Sequence, residues 1–136
     1  MKNLLFICAF LLVSSAAFSQ SIPKGALMGI HSFEVKLKDN VSEQQYLSEF
    51  KSKWIPVASK AYEAEIHVLN FARGESKNKV GLLFFYKNAA KRDKFYSADG
   101  SLNDTGKAAY AAVKVIDDQL AKLGTTSGSY IDWIVD

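Results

Sequence analysis

Residues 79–87 read Lys-Val-Gly-Leu-Leu-Phe-Phe-Tyr-Lys. In an extended chain Val80, Leu82, Phe84 and Tyr86 fall on one face, and Gly81, Leu83 and Phe85 on the other. A strand that is apolar on both faces runs through the middle of a sheet and needs cover on both sides. The run before it, Ala64–Ala72, alternates Ile66, Val68 and Asn70 against His67, Leu69 and Phe71. The connecting residues, Arg73 to Asn78, are polar and include Gly74, so the two runs form a hairpin. The rest of the chain has to supply the covers.

Upstream, Leu27–Lys38 is the first strand. From Phe33 onward it alternates apolar Phe33, Val35 and Leu37 with charged Glu34, Lys36 and Lys38. Its odd positions, His31 among them, should meet the helices, while Met28, Ile30, Ser32 and Glu34 point the other way. A helix then opens at Ser42, with Gln45 three residues on as a capping box and Val41 and Tyr46 placed as a hydrophobic staple. Its apolar stripe runs through Tyr46, Phe50, Trp54, Ala58 and Ala61 at helical spacing. Pro56 removes a backbone donor and crowds the carbonyl four residues back, so a kink or break is expected there. Downstream, Asn88 caps a short helix to about Phe95. A longer helix follows the cap at Asn103-Asp104-Thr105 and runs to about Leu123, where Gly124 stops it. Thr125–Ser129 reads as a loop and Tyr130–Val135 as the last strand.

The order strand, helix, strand, strand, helix, strand is the α+β ferredoxin-like β-α-β-β-α-β pattern. Right-handed crossovers put both helices on one face of a four-stranded antiparallel sheet in the order 4-1-3-2. The other face would carry Met28, Ile30, Leu69, Phe71, part of the third strand and either Tyr130 or Trp133. An apolar patch of that size calls for cover. The simplest cover is the same face of a second copy, which predicts a homodimer.

The first residues stand apart from this pattern. Met1-Lys2-Asn3 is a short positive stretch, Leu4–Val13 an unbroken apolar run, and Ser14–Gln20 small and polar. The apolar run is shorter than the roughly 20 residues that a bilayer-spanning helix needs. Residues 1–19 therefore read as a secretory signal peptide cleaved after Ser19, with Ala17 as the alternative point. This leaves residues 20–26 as a flexible leader and 27–136 as one domain. It predicts export to the periplasm or beyond the cell, with no stable membrane insertion after cleavage. The single cysteine, Cys8, leaves with the signal, so a disulfide framework, a thiol nucleophile and a thiolate metal site are all excluded. A formal charge of +3 over 136 residues is too small to imply a nucleic-acid or membrane partner.

The order of elements, the proline-interrupted first helix and the apolar open face resemble the dimeric α/β-barrel superfamily. That group includes the antibiotic-biosynthesis-monooxygenase-like, NIPSNAP-like and EthD-like families. The resemblance covers Leu27 to Val135 and rests on architecture. It implies two sheets facing each other across a two-fold axis, with a small ligand held beside or inside the barrel. It also implies a choice between cofactor-free oxygenases or isomerases, haem-binding enzymes and binding proteins.

On the open face the sequence places Glu34, His67 and Asp132, with Ser32 and Tyr130 nearby. A histidine between carboxylates under an apolar lid has the makings of a general base for an acidic C–H or O–H. The expected function is an exported protein binding a small apolar or aromatic molecule against Ile30, Ser32, Leu69, Phe71, Phe85 and Tyr130. The alternative is a metal-independent monooxygenase or isomerase using His67 with Glu34 or Asp132. No metal site and no cofactor are expected; a haem on a histidine is the cofactor alternative that the resemblance allows. The basic run Lys87, Lys91, Arg92 and Lys94 reads as a solvated helix face, and Asp99–Asp104 as a turn that lacks the glycine and glutamate of a calcium loop.

Overall fold

A computed structural model describes residues 22–70 and 79–136. The predicted signal peptide, Phe71 and the hairpin loop lie outside the described residues. Strand β1 (Leu27–Leu37) leads into helix α1 (Glu43–Glu49), a π-helical turn (Phe50–Trp54) and helix α2 (Ile55–Ala61). Strands β2 (Glu65–Asn70) and β3 (Lys79–Tyr86) form the hairpin. Helices α3 (Ala89–Asp93) and α4 (Asp104–Leu120) precede strand β4 (Gly124–Ile134). All neighbouring pairs are antiparallel, in the order β2-β3-β1-β4. This is the ferredoxin-like arrangement read from the sequence.

The caps are those that the side chains dictate. Ser42 Oγ accepts the Gln45 backbone N–H at 3.1 Å, Asn88 Oδ1 that of Lys91 at 3.1 Å, and Asn103 Oδ1 that of Gly106 at 3.0 Å. At Pro56 the chain takes a course between the expected kink and break. The Ile55 N–H reaches five residues back to the Phe50 carbonyl, opening a π-turn just ahead of the residue that cannot donate. This wider turn also lets the rings of Phe50 and Trp54 stack, with centroids 4.9 Å apart and planes 13° from parallel.

Two sequence expectations are corrected. Gly124 is the first residue of β4 and not a left-handed helix stop, and Thr125–Ser129 is strand and not loop, paired residue by residue with Ser32–Lys36. These small polar residues looked like a loop because a strand at the sheet edge is not required to bury bulk. Glycine is demanded at Gly128 by close approach, since a Cβ there would lie 2.3 Å from the Ser32 carbonyl oxygen. The end of the leader is also fixed. Gly25 N–H donates to the Val135 carbonyl and Val135 N–H to that of Ala26, at 2.8 and 2.9 Å, and Ala26 is fully buried.

The core lies between the helices and one sheet face. Leu27, Leu82, Phe84 and Tyr86 from the sheet meet Tyr46, Phe50, Ala58 and Val113 from the helices. Among the described residues nothing covers the opposite face. Its register brings together Met28, Ile30, Leu83, Phe85, Ile131 and Trp133, of which Ile131 and Trp133 are 58% and 57% exposed.

Candidate functional site

The predicted cluster on the open face is not assembled. Glu34 and His67 do occupy that face, but His67 Nε2 is 2.8 Å from Glu65 Oε1 and both side chains are exposed. Asp132 and Tyr130 pair with Gly29 and His31, so they stand on the helix side, away from His67 and Glu34. The reason is the phase of β4. Its strand alternation sends Ile131 and Trp133 outward and Tyr130 and Asp132 inward. Of the predicted ligand-binding residues, Ile30, Ser32, Leu69 and Phe85 share the open face, Tyr130 does not, and Phe71 lies outside the described residues.

The concavity is on the helix side. Between β1, β4, the π-turn and α4 lies a cleft of about 840 Å³. It exists because β4 faces the helices there with Gly124, Thr126 and Gly128, where bulky side chains would otherwise have filled the space. Its floor is β1 and β3, its roof the helical Tyr46–Phe50–Trp54 ladder and α4. Nine of its lining side chains are Phe, Tyr or Trp, so a flat apolar ligand would meet ring faces on most sides.

His31 sits on that floor. Its ring packs between Phe84 and Tyr130, each 4.8 Å away between centroids. Burial pushes its pKa below the ordinary histidine value of 6.5, against a smaller opposing pull from the Asp132 carboxylate. The imidazole is therefore neutral near pH 7, with one nitrogen available as an acceptor. Among the described residues no hydrogen bond reaches it.

Behind His31 a polar chain fixes Tyr130. Arg92 Nη1 donates to Asp132 Oδ2 at 2.5 Å, and Tyr130 Oη donates to the same oxygen at 2.7 Å. Burial and this bond to a carboxylate push the Tyr130 phenol up to about 12. Arg92 was read from the sequence as part of a solvated basic face; it instead turns back to the sheet, with only 22% of its side chain exposed. Gly29 makes room for this arrangement, since a Cβ there would come within 3.1 Å of Asp132 Oδ1.

On the roof, Trp54 Nε1 donates to Asp117 Oδ1 at 2.6 Å. Burial raises the Asp117 carboxyl above its usual range, with the Trp54 bond acting the other way. Asp117 follows Val113 by four residues, which is the core-facing side of α4. A carboxylate at a core-facing helix position was the signal that could have found it. His31 had the same kind of signal, a polar residue in the helix-facing phase of β1.

The histidines do not favour the haem alternative. His67 Nε2 is engaged by Glu65, and among the described residues His31 is joined by no pair of histidine, cysteine or carboxylate side chains converging with it as co-ligands. Among the described residues no three His, Cys, Asp or Glu side chains converge as metal ligands.

No protein-family model matches the chain, and no curated protein does. Solved structures match in fold. A NIPSNAP family protein from Agrobacterium tumefaciens superposes with a TM-score of 0.56 at 13% identity, over 86% of this chain and 91% of that one. An uncharacterised NIPSNAP-like domain protein from Burkholderia xenovorans gives 0.53 at 10% identity, over 80% and 85%. SnoaB, a cofactor-independent oxygenase from Streptomyces nogalater, gives 0.47 at 11% identity, over 79% and 91%. The fold is thus shared with NIPSNAP-type ferredoxin-like proteins, as the order of elements implied.

Proposed function

We propose that the protein is an exported homodimer that binds a small aromatic molecule in the helix-side cleft. The observation that carries this reading is the His31 imidazole, without a hydrogen-bond partner among the described residues, on the floor of an aromatic-walled space. Trp54, Phe84 and Tyr130 offer faces for stacking, and His31 offers the polar contact that sets ligand orientation. Dimerisation is supported by the uncovered sheet face. Its apolar centre of Ile30, Leu83, Phe85, Ile131 and Trp133 is bordered by both signs of charge, Glu34 and Glu65 with Lys36 and Lys79. Such a face is complementary to itself about a two-fold axis. Export rests on the signal-like sequence of residues 1–19.

The test exploits composition. The chain has two histidines and two tryptophans, one of each in the cleft and one of each on the open face. Titration with 2-naphthol, followed by the imidazole C–H and indole N–H resonances, is expected to move His31 and Trp54 while His67 and Trp133 stay in place. Movement of His67 and Trp133 alone would return the site to the open face. No movement of any of the four would refute a site for such ligands.

A second reading is favoured by the lowered pKa of His31. A neutral imidazole in an aromatic-lined cleft can take a proton from a bound acidic C–H. With an aromatic 1,3-diketone in D2O, His31 would take up the C–H proton, exchange it with solvent and return deuterium to the same carbon. Faster exchange with the wild type than with His31→Gln supports catalysis, and equal rates refute it.

A further inference from the structure

We propose that the cleft selects aromatic ligands that are cationic or uncharged, with an N–H or O–H donor directed at Asp117, and rejects aromatic anions. This rests on the cleft being the binding site and goes on to name the chemical class that it takes. Among the described residues, the charged side chains lining the cleft are two aspartates, and no lysine or arginine is part of the lining. Asp118 is already paired, with both carboxylate oxygens held by Lys114 Nζ at 2.7 and 2.8 Å. Deeper in, Asp132 is paired with Arg92. Among the described residues Asp117 makes no ion pair, Lys114 acting on it only at longer range, and its bond from Trp54 Nε1 occupies only Oδ1. An ionised carboxylate has about four acceptor positions, so most of its capacity remains open.

Two further features act in the same direction. The Asp117 charge is felt across the roof, where it adds to the burial that raises the Tyr46 and Tyr62 hydroxyl pKa values. Aromatic side chains line the walls, and a cation over a ring face is attracted by the ring quadrupole where an anion is repelled. His31 is neutral and supplies no positive charge to offset either effect. A ring carrying an ammonium or hydroxyl group would stack on Trp54, meet Phe84 at a steep angle and donate to Asp117. A ring carrying a carboxylate would lose its water and meet a like charge.

The experiment compares three probes that share one ring system: 2-naphthylmethylammonium, 2-naphthol and 2-naphthoate, each titrated into the full protein and read from the Trp54 and His31 resonances. The ammonium is expected to bind about tenfold or more tightly than the carboxylate, a gap that corresponds to one unpaired charge in a partly screened site. Asp117→Asn keeps an acceptor for Trp54 and removes the charge, so the two charged probes should come within about threefold of each other, and 2-naphthol, which loses only a charged acceptor, should weaken less than the ammonium. Naphthoate binding as tightly as the ammonium overturns the inference but leaves the cleft as the site. A full gap that survives in a folded Asp117→Asn variant removes Asp117 as its cause and also overturns it. Should that variant fail to fold, the wild-type ranking decides alone. Failure of all three probes refutes the cleft reading itself.

Discussion

Trp133 gives the sharpest test of the proposed dimer. It lies on the open sheet face, in register with Met28, and is 57% exposed in the single chain. An aromatic side chain buries roughly 150–250 Å², so closing a second sheet over Trp133 would remove on the order of 100 Å² from water. At about 25 cal/mol/Å² this contributes ~2.5 kcal/mol per chain. A two-fold interface counts each residue twice, so Trp133→Ala should cost the dimer about 5 kcal/mol. With about 1.4 kcal/mol for each factor of ten, the dissociation constant should rise by roughly three to four orders of magnitude. Sedimentation velocity over a dilution series measures this directly. Val115→Ala is the control, because Val115 is 61% exposed on α4 and outside the open face. A wild-type protein that stays monomeric at high concentration would refute the reasoning. So would a Trp133→Ala variant that associates as tightly as the wild type.

Stability should depend on pH through His31. Its folded pKa lies below 6.5, so its contribution is fully present above that value and is lost as pH falls through the lower folded value. Urea midpoints should decline on acidification, and the decline should be shallower in His31→Phe; parallel curves would argue against a buried neutral imidazole. Gly106→Ala should be severely destabilising, because a Cβ in the first turn of α4 would stand 2.0 Å from the Phe95 carbonyl oxygen. A loss of about 3 kcal/mol or more is expected from chemical denaturation, and wild-type stability would show that the α3–α4 contact is looser than described.

The interior of the fold was legible because it rests on local rules. The two-faced apolar run at Lys79–Tyr86, the capping residues Ser42, Asn88 and Asn103, and the phase of β1 each state their own structure. Together they imply the strand order β2-β3-β1-β4. The misreadings fell where the local rule is weak. Gly124–Ser129 lacks the bulk that marks a strand, and only pairing with β1 makes it one. Arg92 looks like its neighbours Lys91 and Lys94 until Asp132 is placed across from it.

The candidate site divides in the same way. The phase of β1 puts His31 on the helix side, where a side chain is ordinarily packed. Whether it is packed depends on how much volume the opposite elements deliver, which is a sum over β4, α4 and the π-turn. Here Gly124, Thr126 and Gly128 deliver too little, and a cleft remains over His31. Asp132 and Tyr130 show the other limit, since one step of strand phase moved both from the open face to the helix side. By itself, then, the sequence determined the elements, their order and the uncovered apolar face, because alternation and capping act over a few residues. The location of the cleft, and the meeting of His31, Tyr130, Asp132 and Arg92 around it, were decided only by tertiary structure, because they depend on register and on volume summed across distant segments.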